Sequence, residues 1–186
     1  MFMNLAGLKM ILPSTPDDMK GLLIAAIRDD TPILSFESSR LMGLRGEIPG
    51  EEYIVPLGKA DIKREEDAVT VVAVAWMVHK ALAAAEALAK EGISIAVIDP
   101  RTLVPMDVAT IRASVRKTGR LVVAAEAGPT ASAAAELCGV VTEDPATFRA
   151  LKAPVKRVCG LQVPIPYSPQ LERHVFPDRA KSAGWT

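Results

Sequence analysis

At 186 residues and 49% hydrophobic side chains, the chain is long enough to bury a substantial core. Its 22 basic and 22 acidic residues cancel and form no long single-sign run, which argues against nucleic acid or an anionic membrane as the main partner. Two cysteines outside any C-x-x-C arrangement, two distant histidines and no apolar run of roughly 18 residues argue against a disulfide framework, a zinc site and a membrane span, so a cytoplasmic protein is expected.

In chain order, "LKMILP" (8 to 13) reads as a short buried strand closed by proline. A helix is predicted next: Ser14 or Thr15 is its N-cap, Pro16 lies just inside it, and Asp17 and Asp18 complement the dipole of its first turn. Leu22, Leu23, Ala26 and Ile27 recur at helical spacing, and "PILSFE" (32 to 37) is the following strand. Residues 38 to 58 carry glycine, proline and mixed charge without periodicity and read as a long loop or linker. "ADIKREEDA" (60 to 68) is a polar edge segment whose tip, Glu65 to Asp67, is expected in solvent.

A regular alternation follows. "VTVVAVA" (69 to 75), "ISIAVID" (93 to 99) and "RLVVAAE" (120 to 126) are continuous apolar runs of the kind buried on both faces of a sheet, and "PVKRVCG" (154 to 160) is a fourth strand. Between them fall helices over 77 to 92, ended by Gly92; over 108 to 119, capped by Asp107 and stopped by Gly119; and over 131 to 141. This spacing predicts an α/β fold with a mostly parallel sheet flanked by helices, and ligands or partners at the carboxyl ends of its strands. Those ends are "AWM", "DPRTLVP" and "EAGPT". No G-x-G-x-x-G or Walker motif follows a strand, so the usual nucleotide fingerprints are absent from the sequence.

Single residues at these ends have competing readings. Arg101 either contacts an anion or partner, or pairs with a nearby carboxylate and orders the loop before the Asp107 cap; the second is favoured. Trp76 and Met77 are expected to pack at a strand end rather than line a cofactor pocket, and His79 either faces the cleft or is a surface or capping residue, the second being favoured. Cys138 and Cys159 are expected as buried thiols. "VPIPYSPQLE", with Tyr167, is either an interface strip or packed on its own domain.

Several stretches together resemble one family. "GLKMILPSTPDDMKGLLIAAIRDDTPILSFE" resembles the closing helix and strand of the pyrimidine-binding domain in beta subunits of 2-oxo acid and acetoin dehydrogenases. The long stretch from "VPLGKADIK" to "VVAAEAGPT", and "APVKRVCGLQVPIPYSPQLE" after it, resemble the transketolase C-terminal-like domain of the same subunits. The resemblance implies two domain portions: 1–56, the end of a pyrimidine-binding domain plus linker, and 57–186, a transketolase C-terminal-like domain. It also implies a thiamine-diphosphate enzyme acting on pyruvate, branched-chain 2-oxo acids or acetoin, a heterotetramer of alpha and beta subunits. Its partners would be an alpha subunit, another beta subunit and a lipoyl transacylase core, and its cofactors thiamine diphosphate and magnesium.

Residue by residue, the family's potassium site projects onto Ala26, Ile27, Asp29 and Thr31 in "AIRDDTP". Carbonyls at a helix C-terminus and a carboxylate are suitable oxygen ligands. No catalytic or cofactor-binding residue is assigned: the family's cofactor-facing glutamate and channel histidine belong to the first part of the pyrimidine domain, and Glu37, Glu126 and Glu136 match no such motif. The chain departs from the family pattern at Thr31, often asparagine; at "TASAAAEL", where relatives are glycine-rich; and at "RAKSAGWT", which is too short for their closing helix. The expectation is a partial beta subunit contributing to assembly, inactive in isolation. The alternatives are a non-catalytic interaction domain and one half of a split subunit.

Overall fold

The computed structural model describes residues 2–177; "RAKSAGWT" lies outside the described residues. The main sheet has five strands in the order β3-β5-β4-β7-β8, formed by β3 (Asp61–Arg64), β4 (Val69–Ala73), β5 (Ile95–Asp99), β7 (Leu121–Ala125) and β8 (Lys156–Cys159). β4, β5, β7 and β8 run parallel, and β3 is antiparallel at one edge. β4, β5 and β7 are buried at every position, as their uninterrupted apolar runs require.

Alternation along each strand divides the core into two layers. Val69, Val71, Ala73, Ile95, Val97, Val122 and Ala124 pack against α2 (Trp76–Ala89) through Met77, Val78, Ala81, Ala84 and Ala85. Val72, Val74, Ile98, Leu121, Val123 and Ala125 face the other way, onto Ile111 and Val115 of α3 (Val108–Thr118) and Ala134, Leu137 and Val141 of α4 (Ala133–Thr142). Asp107 caps α3 by accepting from Thr110 N, and Gly119 ends it at φ 73°.

A second, three-stranded sheet has the order β2-β1-β6. β1 (Lys9–Ile11) and β2 (Ile33–Ser35) are parallel, joined by α1 (Pro16–Ile27). Thr15 is the N-cap of α1, accepting from Asp18 N, so the choice between Ser14 and Thr15 falls to Thr15. The third strand, β6 (Thr102–Val104), pairs antiparallel with β1. Sequence reading leaves 99 to 105 as a loop; the structure makes it the strand that stitches the first portion of the chain to the second. Two short helices also lie where none was expected: α5 (Pro145–Ala150), whose Asp144 cap accepts from Thr147 N, and α6 (Pro169–Val175), which interrupts the extended proline-rich stretch.

The 38 to 58 segment holds a single turn of 3-10 helix at Ser39–Leu41 and is otherwise irregular. It is strapped to α1. Lys20 Nζ donates to the carbonyls of Pro49 and Glu51, Tyr53 Oη donates to Asp17 O at 2.7 Å, and Val55 N donates to Gly21 O. Gly21 makes the fit possible: a Cβ there would lie 2.5 Å from Val55 Cγ2.

Candidate functional site

The chain runs outward from β4 to β5 on one side, then crosses back to β7 on the other, so the sheet's switch point lies between the carboxyl ends of β4 and β7. A crevice of 460 Å³ opens there, lined among others by Ala75, Glu126, Phe36, Ser38, Arg40 and Glu172. Ala75, at φ 51°, turns the chain from β4 into α2, and Arg101 (φ 54°) and Ala131 (φ 47°) hold similarly costly conformations beyond β5 and β7. Non-glycine residues held at positive φ persist where the surroundings fix them, here at one end of the sheet.

The polar groups in the crevice neutralise one another. Arg40 Nε lies 3.5 Å from Glu126 Oε1 and its Nη2 2.8 Å from Glu172 Oε1, while its guanidinium stacks on Phe176 with Cζ 4.4 Å from the ring centroid. Ser38 Oγ donates to Glu126 Oε2. Burial pushes the Glu126 carboxyl above its usual range, against the opposing pull of Ser38 and Arg40. Partners so far apart in sequence, 88 and 132 residues, leave no local signal by which Arg40 and Glu172 could have been found.

A second polar cluster joins the two sheets. Asp18 is 1% exposed and accepts from Arg101 Nη1 at 2.9 Å, Lys63 Nζ at 2.9 Å and Thr15 Oγ1 at 2.7 Å. Burial opposes its charge, but these three partners outweigh burial and hold its carboxyl below the usual carboxylate range. Asp99, fully buried at the end of β5, accepts from Ser14 Oγ and Arg101 N. With no cation bonded directly to it, burial pushes its carboxyl up to about 6. His79 completes the cluster, its Nε2 lying 2.8 Å from Ser14 O. Arg101 is therefore the carboxylate-paired, loop-ordering residue that the sequence favours. Trp76 and Met77 also pack: Met77 is 1% exposed, and Trp76 lies against His79 and Lys80.

At the "AIRDDTP" turn, Asp29 is already satisfied. Its Oδ2 lies 2.5 Å from Lys9 Nζ and its Oδ1 accepts from Thr31 N at 2.8 Å. The Lys9 hydrogen bond is the main reason its carboxyl sits below its usual range, with the Thr31 N–H adding to it. The Ala26 carbonyl accepts from Asp29 N. The Lys9 ammonium thus engages one carboxylate oxygen of Asp29 and the Thr31 N–H the other. Asp30 is exposed. Of the other carboxylates weighed, Glu37 and Glu136 are exposed, and only Glu126 reaches the crevice as a half-buried group. Among the described residues, no group of three or more His, Cys, Asp or Glu is placed to hold a metal ion. No helix among them is long and apolar enough to cross a membrane. Cys138 and Cys159 are free and half-buried.

Comparison with known proteins agrees with this architecture. The transketolase C-terminal domain family matches residues 58–181. The chain is 45% identical over 183 residues to the beta subunit of acetoin:2,6-dichlorophenolindophenol oxidoreductase of Cupriavidus necator, covering 98% of this chain and 54% of that protein. It is 43% identical over 186 residues to the 2-oxoisovalerate dehydrogenase subunit beta of Bacillus subtilis, covering 98% and 56%. A pyruvate dehydrogenase E1 component subunit beta-1 of Oryza sativa is 44% identical over 180 residues, covering 95% and 48%. The chain spans about half the length of these relatives, matching their C-terminal part. A solved structure titled split gene transketolase, inactive beta4 tetramer, superposes with a TM-score of 0.76 at 24% identity over 98% of this chain and 57% of that one, which shows the fold. The chain belongs to the transketolase C-terminal domain family, and its homologues are beta subunits of acetoin, 2-oxoisovalerate and pyruvate dehydrogenases.

Proposed function

We propose that the chain acts as the C-terminal part of a 2-oxo acid or acetoin dehydrogenase beta subunit, contributing subunit assembly to a thiamine-diphosphate-dependent decarboxylation. The observation that carries the proposal is the match to such subunits along 98% of the chain at 43 to 45% identity. In this reading the partners are an alpha subunit, a further beta subunit and a lipoyl transacylase core that accepts the acyl group.

The residues present do not fit thiamine diphosphate and magnesium by themselves. Arg40 is the cation of the switch-point crevice, and Glu126 and Glu172 already neutralise it, so it offers no free positive charge to a diphosphate. No metal-ligating cluster exists among the described residues. No catalytic step is therefore assigned to a side chain of this chain, and its share in the chemistry is to complete and support the assembly that holds the cofactor.

The test is reconstitution. The purified chain is mixed with an acetoin dehydrogenase alpha subunit, with a polypeptide covering the part of the Cupriavidus necator beta subunit outside the match, and with thiamine diphosphate and magnesium. Reduction of 2,6-dichlorophenolindophenol is followed with acetoin, pyruvate or 2-oxoisovalerate. Activity is expected only when all three polypeptides are present. Activity of the chain alone would overturn the assembly role, and failure of every combination would overturn the dehydrogenase reading.

Potassium at Ala26, Ile27, Asp29 and Thr31 belongs to the same proposal, in a restricted form: the ion competes with the Lys9 ammonium for Asp29. Lys9→Gln should give a melting temperature that rises when potassium replaces tetramethylammonium at equal ionic strength, while the parent chain responds to neither salt specifically. A variant insensitive to potassium would remove the cation site from the proposal.

A further inference from the structure

The chain's two cysteines, Cys138 on α4 and Cys159 at the end of β8, both pack against the core layer beneath α3 and α4. Register and helical spacing fix where each one turns. Cys159 pairs with Ala125 of β7, and paired residues of neighbouring parallel strands point to the same face. Ala125 belongs to the layer under α4, so Cys159 turns that way, while Val158 packs in the α2 layer. β4, β7 and β8 are consecutive in the sheet. α3 lies over β4, where Thr70 bonds Ser114 and Thr118, and α4 lies over β7. The buried stripe of α4 is Ala134, Leu137 and Val141. At about 100° per residue, Val140 falls on one flank of that stripe and Cys138 on the other. Arg112 Nε of α3 donates to Val140 O at 2.7 Å, which turns the Val140 flank toward α3. The Cys138 flank is therefore the one that overhangs β8 and Cys159.

The seam between α4 and β8 is fastened at its carboxyl end. Arg157, two residues before Cys159 and on the same face, donates from Nη1 to Pro129 O at 2.7 Å, just ahead of α4. Gly160 N donates to Ala127 O at 3.1 Å, and a Cβ at Gly160 would collide with Glu126 O. Burial raises both thiols above their ordinary range; Arg157 opposes it at each, and the neighbouring Cys159 adds to the rise at Cys138. Both thiols are free and half-buried, and among the described residues no cluster of three His, Cys, Asp or Glu includes them. A facing pair of protonated thiols without further ligands suits oxidation to a disulfide better than metal binding.

We infer that Cys138 and Cys159 are a reversible thiol–disulfide pair that clasps α4 to β8, oxidised by a low-molecular-weight disulfide of the glutathione class. The thiolate of one cysteine, its proton released to solvent, attacks a sulfur of the small disulfide. That S–S bond breaks, and one small thiolate leaves and takes up a proton. The second cysteine, deprotonated in turn, attacks the protein sulfur of the mixed disulfide and expels the second small thiolate. Two cysteine thiols are oxidised, and one small disulfide is reduced to two thiols. The new bond closes a loop of about 20 residues that contains α5. Beyond Gly160 the chain leads to α6, which carries Glu172 to Arg40, so oxidation steadies the sheet edge beside the switch-point crevice. The pair needs no partner subunit and no cofactor, and it stands apart from the dehydrogenase reading.

The test brings the full chain, folded and reduced, to equilibrium with oxidised and reduced glutathione at about pH 8.5, followed by acid quench and thiol alkylation. The expected product is lighter by about two mass units, has lost both thiols, and yields one proteolytic fragment linking Cys138 to Cys159. Excess reduced glutathione should restore both thiols. Oxidation should raise the melting temperature by roughly 5 to 10 °C and slow amide exchange along β8. Cys138→Ser and Cys159→Ala should each gain at most one glutathione adduct, with no such rise. Glutathione adducts on both cysteines of the parent without a link would overturn the inference. So would disulfide-linked dimers as the main product, or two intact thiols at the most oxidising ratio. A linked product that melts below the reduced chain would show that the bond forms only by opening the seam, and would overturn the clasp.

Discussion

Asp99 ends the buried run of β5 with both carboxylate oxygens bonded to neutral groups, the Ser14 hydroxyl and the Arg101 N–H. Its neighbour Asp18 is equally buried but meets two cations, and the two carboxyls shift in opposite directions. A carboxyl whose pKa is raised in the folded state binds its proton more tightly there than in the unfolded chain. Folding therefore gains stability as pH falls from about 6 toward 4, and the charged group costs its full amount above that window. The amount is on the order of 3 kcal/mol for Asp99. Asp18, Asp29, Asp107 and Asp144 are lowered instead, so their stabilisation is complete above about pH 4 and is lost below it. Asp99→Asn keeps acceptor and donor positions for Arg101 N and Ser14. It should remove most of the rise in urea stability between pH 6.5 and 4, with Glu126 leaving a smaller slope of the same sign. An unchanged slope would show that Asp99 does not titrate in this window.

At the scale of elements, legibility followed the length of the pattern. β4, β5 and β7 are continuous apolar runs, and α2 and α3 combine helical periodicity with glycine stops at Gly92 and Gly119, so local sequence specifies them. β6 has only three residues, between Pro100 and Pro105, and its strand state comes from pairing with β1 some 90 positions away; "DPRTLVP" alone reads as a loop. α5 carried a legible signal, the Asp144 cap followed by Pro145, but its six residues are too few for periodicity. The site divides in the same way. Asp29 was legible as a turn carboxylate because its partner Thr31 is two residues on, whereas Lys9 is 20 residues away and converts the turn into an ion pair. The Arg40–Glu126–Glu172 bridge was invisible for the same reason: nothing in "SSRLM" indicates what folds against it.

In the molecule as a whole, the first portion of the chain is not an appendage to the main sheet. β1 pairs with β6, Leu12 N donates to Arg101 O at 2.7 Å, and Ser14 bridges to Asp99 and His79. At the centre of this junction Asp18 balances Arg101 and Lys63, whose side chains are only 14% and 15% exposed. Removing one member of a buried ion cluster leaves the others uncompensated, which costs about 3 to 5 kcal/mol. Asp18→Asn should therefore lower the urea midpoint strongly. Amide exchange of β1 and α1 should also become faster than that of β4 and β7, because the apolar layers of the main sheet do not depend on Asp18. Asp61 supplies the control: it also pairs with Lys63, at 2.6 Å, but its side chain is 37% exposed, so Asp61→Asn should cost no more than about 1 kcal/mol. If both substitutions cost alike, or β1 and β4 exchange together in Asp18→Asn, the cohesion of the two sheets lies in the β1–β6 pairing and its apolar contacts instead of in the Asp18 cluster.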